Sequence, residues 1–224
     1  MRGGLAVAAL AMGLAGCSAS ATPSVTVSAL RYVALGDSYT IGTSVSSAES
    51  WPSQLVTREP RLQLVANLGV NGYTSADLIA DELPALHGLA PEFVTLMIGV
   101  NDVVQGVHVE TYRANLGVIL PAVLAEVPAT RVLCVATPDY TVTPQGAAFG
   151  SPDQQRAGIQ RVNQILGEAC AALGIRFVPD IFQISEGAAT DRSLVAGDGL
   201  HPSGAQYRLW VDAIARAVEA LLGS

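Results

Sequence analysis

Short apolar runs alternate along the chain, from about residue 30 onward, with longer segments in which apolar residues recur every three or four positions. The short runs are rich in β-branched residues and show little polar alternation, as is typical of strands covered on both faces. This alternation predicts an α/β fold, with a mostly parallel sheet and helices on both faces. We predict five strands, at residues 31–35, 63–67, 93–98, 131–136 and 175–179.

The clearest amphipathic helices cover residues 111–127, 152–173 and 203–222. Cys170 falls on the apolar stripe of the second helix and Cys134 falls within a strand, so both are expected to be buried thiols. An oxidising compartment would also permit a disulfide between them, and the sequence leaves both alternatives open. Because no repeat and no change of composition follows residue 30, we expect residues 30–224 to form one domain.

The composition excludes several classes of protein. Of the 224 residues, 50% are hydrophobic and 14% are charged, so the chain is not expected to be disordered. Its 12 basic residues, all arginine, face 19 acidic ones, and this net charge of −7 argues against a nucleic-acid partner. The three cysteines and three histidines lack the spacing of a zinc site, so no metal is expected.

The amino-terminal segment has the features of an export signal. Arg2 precedes an apolar stretch over residues 5–14, and the stretch leads into Leu14-Ala15-Gly16-Cys17. This pattern resembles a bacterial lipoprotein signal peptide, and the stretch is too short to span a bilayer. The resemblance implies that residues 1–16 are removed, that a lipid on Cys17 holds the protein at the membrane of the cell envelope, and that residues 17–29 form a flexible tether. The alternative is an ordinary secretory signal cleaved near residues 19–21, which would release a secreted protein.

Three polar motifs stand where chemistry is expected in a parallel sheet. Gly36-Asp37-Ser38 ends the first strand, and Gly99-Val100-Asn101-Asp102 follows the third. Asp198-Gly199-Leu200-His201 comes just before the last helix. Open α/β sheets bind their ligands at the carboxyl ends of the strands, so the three motifs are expected to converge there.

These motifs, in this order, resemble the SGNH (GDSL) hydrolase family of esterases and lipases. The resemblance implies a three-layer flavodoxin-like fold and ester hydrolysis through an acyl-enzyme, with no cofactor. It places the nucleophile at Ser38, the base at His201 and the supporting acid at Asp198. Physically, a serine hydroxyl needs such a base to become a nucleophile, and the base needs a group that orients it.

The same resemblance implies an oxyanion hole, formed by the backbone amides of Ser38 and Gly72 and the side-chain amide of Asn101. The glycine is the least defined member, because Gly69 precedes Gly72 within the same block; the Asn-Gly-x-Thr context favours Gly72. Asp37, beside the nucleophile, is expected to brace its loop through backbone hydrogen bonds, as is Asp102 beside Asn101.

The segment 137–151 is long for a loop and follows the fourth strand, so Tyr140 and Phe149 are candidates to line an apolar acyl pocket. A tolerated surface insertion is the alternative.

Aromatic residues make up only 5% of the chain, which gives little sign of a glycan-binding platform. We therefore expect a monomeric serine esterase acting on small short-chain or lysolipid-like esters. The alternatives are an envelope carbohydrate O-deacetylase and a catalytically silent envelope-binding protein. A cytoplasmic nucleotide-binding protein is disfavoured, since no phosphate-binding glycine loop is present.

Overall fold

The computed structural model describes Met1, Gly3, Gly4 and residues 28–223. Most of the expected signal peptide, and the expected lipidation site Cys17, therefore lie outside the described residues. The tether and domain boundaries remain expectations for the same reason.

One five-stranded sheet forms the centre of the domain. Its strand order is β2-β1-β3-β4-β5, and every neighbouring pair is parallel. This order, with β1 and β3 adjacent, is that of the flavodoxin-like folds. All five predicted strands are confirmed, each within two residues of its predicted ends: β1 (Leu30–Gly36), β2 (Leu62–Asn67), β3 (Phe93–Met97), β4 (Val132–Val135) and β5 (Arg176–Val178).

Nine α-helical segments lie in the described part of the chain, and most of them connect the strands. A π-helical segment, Leu78–Glu82, joins the third segment to the fourth. The α-helical segments are α1 (Ser38–Ile41), α2 (Trp51–Arg58), α3 (Ser75–Asp77), α4 (Leu83–Gly88), α5 (Val100–Val104), α6 (Val109–Glu126), α7 (Pro152–Ala172), α8 (Ile181–Ser185) and α9 (Gly204–Leu222).

Two apolar cores, one on each face of the sheet, make the structure three-layered. Successive strand residues point to opposite faces, so Tyr32 and Ala34 of β1 join one core and Val33 and Leu35 join the other. The first core is closed by α2 and α9, and the second is closed mainly by α4, α6 and α7. The continuous apolar strands of the sequence are thus explained by burial on both faces.

Two local features refine the expectations. Helix α6 begins two residues earlier than predicted, because Nδ1 of His108 accepts a hydrogen bond from the Glu110 amide and caps the helix. Cys134 and Cys170 are buried free thiols, so the structure contains no disulfide between them. A hydrogen bond with Cys170, together with burial, raises the pKa of the Cys134 thiol.

The register of the sheet brings two of the motifs together. Gly36 at the end of β1 is paired with Met97 at the end of β3, so the segments that follow the two strands leave the sheet side by side. Asp198-Gly199-Leu200-His201 lies just ahead of α9, which packs across the core beneath β1. Among the helices that the structure describes, none is long and apolar enough to cross a membrane.

Candidate active site

Ser38 is presented by a sharp turn between β1 and α1. The carboxylate of Asp37 caps the short helix by accepting a 2.9 Å hydrogen bond from the Tyr39 amide. A glycine is required at position 36, at the end of β1, because a Cβ atom there would lie 2.3 Å from the Met97 carbonyl oxygen. The turn therefore places Ser38 as the first helical residue, with its backbone amide at the helix N-terminus.

His201 links Ser38 to Asp198. Its Nε2 atom lies 3.0 Å from Oγ of Ser38, and its Nδ1 atom lies 2.6 Å from Oδ2 of Asp198. Because an ionised carboxylate can only accept hydrogen bonds, the imidazole proton lies on Nδ1 and Nε2 is free to accept one from Ser38. The His201 ring also packs against the ring of Tyr39, with their centroids 5.2 Å apart.

Asp198 is held in its ionised form. Its Oδ1 atom accepts hydrogen bonds from the backbone amides of Leu200 and His201, at 2.9 and 3.0 Å. Its Oδ2 atom accepts one from Oγ of Ser44, at 2.6 Å. Burial opposes ionisation, but these hydrogen bonds and the one from His201 outweigh it and hold the pKa of Asp198 well below its usual range.

Hydrogen-bond donors collect beside the Ser38 hydroxyl. Within residues 28–223, the backbone amides of Ser38 and Gly72 have no protein acceptor. Asn101, near the N-terminus of α5, donates a 2.9 Å hydrogen bond from Nδ2 to the Tyr73 carbonyl oxygen. That bond fixes the orientation of the amide and leaves its second N–H available.

The two candidate glycines occupy different places. Gly72 adopts a left-handed conformation, with φ of +81°, and lines the cavity above Ser38. Gly69 lies against α1, since a Cβ atom there would come within 2.8 Å of the backbone of Asp37 and of Ile41. Its amide already donates to Oδ1 of Asn67. The geometry therefore favours Gly72 as the glycine of the site.

The two neighbouring acids brace their loops, as expected. Asp37 caps α1, and Asp102 accepts hydrogen bonds from both the amide and the hydroxyl of Ser75. Asp102 thereby ties the segment after β3 to the start of α3. Burial raises the pKa of both carboxyls, that of Asp37 to about 7. Neither acid is a hydrogen-bond partner of His201, whose ring nitrogens face Ser38 and Asp198.

A cavity of about 230 Å³ opens directly above these groups. Its floor carries the Ser38 hydroxyl, and its walls are largely apolar, as in most small-molecule sites. The lining consists of Ser38, Tyr39, Asn71, Gly72, Val100, Asn101, Val104, Tyr140, Phe149, Leu200 and His201.

The long segment after β4 forms one wall of this cavity, as predicted. The rings of Tyr140 and Phe149 both line it and contact each other edge to face, with their centroids 5.5 Å apart. Tyr140 is fixed by a 2.7 Å hydrogen bond to Oε1 of Gln155, on α7. Arg156 anchors the base of the segment by pairing with Asp139. The alternative of a bare surface insertion is therefore wrong.

Sequence reasoning missed Ser44 and the apolar lining residues Val104 and Leu200. No local signal marks Ser44, because its partner Asp198 lies 154 positions away in the sequence. Among the residues that the structure describes, no cluster of three or more His, Cys, Asp or Glu side chains could hold a metal ion.

The chain matches the model of the GDSL-like Lipase/Acylhydrolase family over residues 34–209, which is most of its length. It therefore belongs to that family, and its activity is that of a carboxylic ester hydrolase. No curated protein sequence matches the chain significantly.

Three solved structures share the fold of this chain. TesA superposes with a TM-score of 0.67 at 21% identity, covering 85% of this chain and 99% of that one. LAE5, an α/β hydrolase from the Lake Arreo metagenome, superposes with a TM-score of 0.67 at 22% identity, covering 88% of this chain and 98% of that one. A catalytic mutant of Axe2, an acetylxylan esterase from Geobacillus stearothermophilus, superposes with a TM-score of 0.67 at 20% identity, covering 88% of this chain and 95% of that one. At these identities the similarity establishes the fold.

Proposed function

We propose that the protein is a serine esterase that works through an acyl-enzyme, with Ser38 as nucleophile, His201 as general base and Asp198 as the acid that orients His201. The observation that carries this proposal is the continuous line of hydrogen bonds from Ser38 through His201 to Asp198, at 3.0 and 2.6 Å, on the floor of an apolar cavity. The solved Axe2 structures with catalytic substitutions replace a serine, an aspartate and a histidine of that enzyme, the same three residue types.

In the first step, Oγ of Ser38 attacks the ester carbonyl carbon while its proton moves to Nε2 of His201. The ionised Asp198 stabilises the imidazolium that forms. The imidazolium then protonates the departing alkoxide, which leaves as the alcohol. A water molecule repeats the sequence on the acyl-enzyme, giving up its proton to His201, and the carboxylic acid departs with Ser38 restored.

The oxyanion of each tetrahedral intermediate would be stabilised by the amides of Ser38 and Gly72 and by Nδ2 of Asn101. The Ser38 amide also lies at a helix N-terminus, where backbone N–H groups favour negative charge. Because these donors are held in place before substrate arrives, each is typically worth about 3 to 4 kcal/mol of the barrier.

The cavity favours short acyl chains as substrates. At about 230 Å³ the cavity is smaller than the roughly 300 to 1,000 Å³ of pockets that hold drug-sized ligands, so it fits a short acyl chain. Small esters fit this space, and lysolipid-like esters would extend beyond it.

A panel of substrates tests the proposal. Turnover of p-nitrophenyl esters of two to sixteen carbons should be measured beside acetylated sugars and a lysophospholipid, with the Ser38→Ala variant as the matched control. We expect kcat/KM to be highest for the short acyl chains of the panel. Turnover and fluorophosphonate labelling should both disappear in Ser38→Ala, with little change in melting temperature. Labelling at another serine would contradict the assignment, and preference for acetylated sugars would favour the O-deacetylase.

We also propose that the protein is exported and acylated at Cys17. This proposal rests on the sequence around that position alone. Expression in a bacterial host should give a product that partitions into detergent, whereas the Cys17→Ser variant should stay in the aqueous phase. Mass spectrometry of the amino-terminal peptide provides the direct measurement. An unmodified amino terminus near residue 22 would instead establish an ordinary secretory signal.

A further inference from the structure

Three buried side-chain oxygens beneath the nucleophile turn have no hydrogen-bond partner among the described residues. They are Oδ2 of Asp37, Oγ1 of Thr40 and Oε1 of Glu82. Asp37 and Thr40 are fully buried, and Glu82 is 2% exposed. Native proteins seldom leave buried polar atoms without partners, so this group requires an explanation.

Glu82 lies directly against the turn that presents Ser38. Its Oε2 atom accepts a 2.9 Å hydrogen bond from the amide of Gly36, two positions before the nucleophile. The hydroxyl of Thr40 lies on the same glycine, because a Cβ atom at Gly36 would come within 2.3 Å of it. The unpartnered oxygens of Glu82 and Thr40 therefore belong to residues that meet at Gly36.

The charged groups around Glu82 are acidic. The negative charges of Asp37, on the nucleophile turn, and of Asp81, on the π-helical segment, both raise the pKa of Glu82. The charge of Asp102 raises the pKa of Asp37 in the same way. The hydroxyl of Tyr73 faces the same segment and is bound to Asp81. Burial, reinforced by these acids, raises the pKa of Glu82 to about 8.

We propose that Glu82 is a positioning residue that carries a proton in the active protein and holds the Gly36–Asp37 segment in place beneath Ser38. A proton on Glu82 adds a donor to a group of buried oxygens in which the Thr40 hydroxyl is otherwise the single donor. Ionised Glu82 would instead place a second buried negative charge beside the Asp37 carboxylate, and the repulsion would displace the turn. This inference rests on the proposed role of Ser38 as nucleophile.

The pH dependence of turnover tests the proposal. For wild-type protein on p-nitrophenyl butyrate, corrected for uncatalysed hydrolysis, we expect kcat/KM to fall above about pH 8, by about tenfold for each further pH unit. Glu82→Gln keeps the acceptor oxygen for Gly36 and replaces the acidic hydroxyl with an amide donor. It should retain neutral-pH activity within about threefold, without the alkaline decline. Glu82→Ala should lower kcat at least about tenfold with little change in KM.

Glu59 provides a matched control. It is a similarly buried glutamate, 4% exposed, but it pairs with Arg61 away from the cavity. The Glu59→Gln variant should therefore keep the wild-type pH profile of kcat/KM.

Thermal stability gives a readout that does not depend on activity. Folded Glu82 keeps its proton up to about pH 8, whereas an unfolded glutamate loses it near pH 4.5, so this group destabilises the folded state increasingly across that window. The melting temperature of Glu82→Gln should therefore rise relative to wild type between pH 5 and pH 8. Glu59 has the opposite effect and stabilises the folded state as the pH rises, because its hydrogen bond with Arg61 lowers its pKa. Glu59→Gln should lose stability at neutral pH, and that loss should shrink as the pH falls towards 4.

Three results would overturn the proposal: a wild-type profile with no alkaline decline, a Glu82→Gln profile that keeps the decline, or a melting difference that is equal at pH 5 and pH 8. Failure of the proposed function would look different, since wild-type protein would then turn over no ester and take up no fluorophosphonate. The melting comparison would still decide whether Glu82 carries the proton.

Discussion

Ser44 donates a 2.6 Å hydrogen bond from Oγ to Oδ2 of Asp198, the same carboxylate oxygen that accepts the hydrogen bond from Nδ1 of His201. Ser44 adopts a left-handed backbone conformation, with φ of +67°, which is unfavourable for a residue with a side chain. The fold thus accepts local strain at Ser44, and the hydroxyl it places there helps to keep Asp198 ionised and fixed against His201.

Replacing Ser44 should separate this hydrogen bond from the strain. Ser44→Ala removes the hydroxyl and keeps the strain, whereas Ser44→Gly removes both. We expect both variants to lose about tenfold or more in kcat with little change in KM, since a hydrogen bond to a charged group contributes about 1.5 kcal/mol or more. Ser44→Gly should melt higher than Ser44→Ala. Full activity in both variants would mean that the two backbone amides are sufficient to hold Asp198.

Asn101→Ala should lower kcat about 10² to 10³-fold with a much smaller change in KM, because an oxyanion donor binds charge that exists only in the transition state. Gln105→Ala is the matched control. Gln105 donates a 2.9 Å hydrogen bond from Nε2 to the Gly72 carbonyl oxygen, so its loss perturbs the same loop without removing a proposed donor. A rise in KM alone, or an equal loss of activity in both variants, would remove Asn101 from the oxyanion hole.

The two glycines of the second motif should respond differently to alanine. In Gly69→Ala the new Cβ atom meets backbone atoms at 2.8 Å, so the melting temperature should fall by about 2 to 12 °C. Gly72→Ala has open space for its Cβ atom and suffers only from its positive φ, at a cost of about 1 to 2 kcal/mol. Its main effect should be on kcat, because the strained peptide turns its amide away from the oxyanion. Wild-type kcat in folded Gly72→Ala would exclude that amide as a donor.

Phe149 should limit the length of the acyl chain. It is 36% exposed at the edge of the cavity and rests on the fixed ring of Tyr140, so its removal opens the wall without a large loss of buried contacts. We expect Phe149→Ala to shift the highest kcat/KM towards longer p-nitrophenyl esters. Leu173→Ala, which truncates a comparably exposed apolar residue at the end of α7, should leave the chain-length profile unchanged. Identical profiles for the two variants would assign the acyl chain to another wall.

The sheet and the main site residues could be predicted because their signals are local. Each strand is a compact apolar run, and Ser38, Asn101 and His201 each stand in a short motif next to a predicted strand or helix. Ser44 could not be predicted, since only the folded chain brings it to Asp198. Glu82 could not be predicted either, because its burial beneath Gly36 depends on how a π-helical segment packs against β1. Periodicity indicates which face of a helix or strand is buried, but it does not encode contacts between residues far apart in the sequence.

The two ends of β1 have separate roles. Ser28 and Leu30 lie beside Pro60 and Arg61 where the strand begins, and Ser38 follows its other end, seven residues or about 20 Å further on. Whatever is joined to the chain ahead of residue 28 is therefore attached on the side of the domain opposite the cavity mouth. A bead or an electrode coupled ahead of residue 28 would thus join the domain at the end of β1 that dissolved esters do not need to approach.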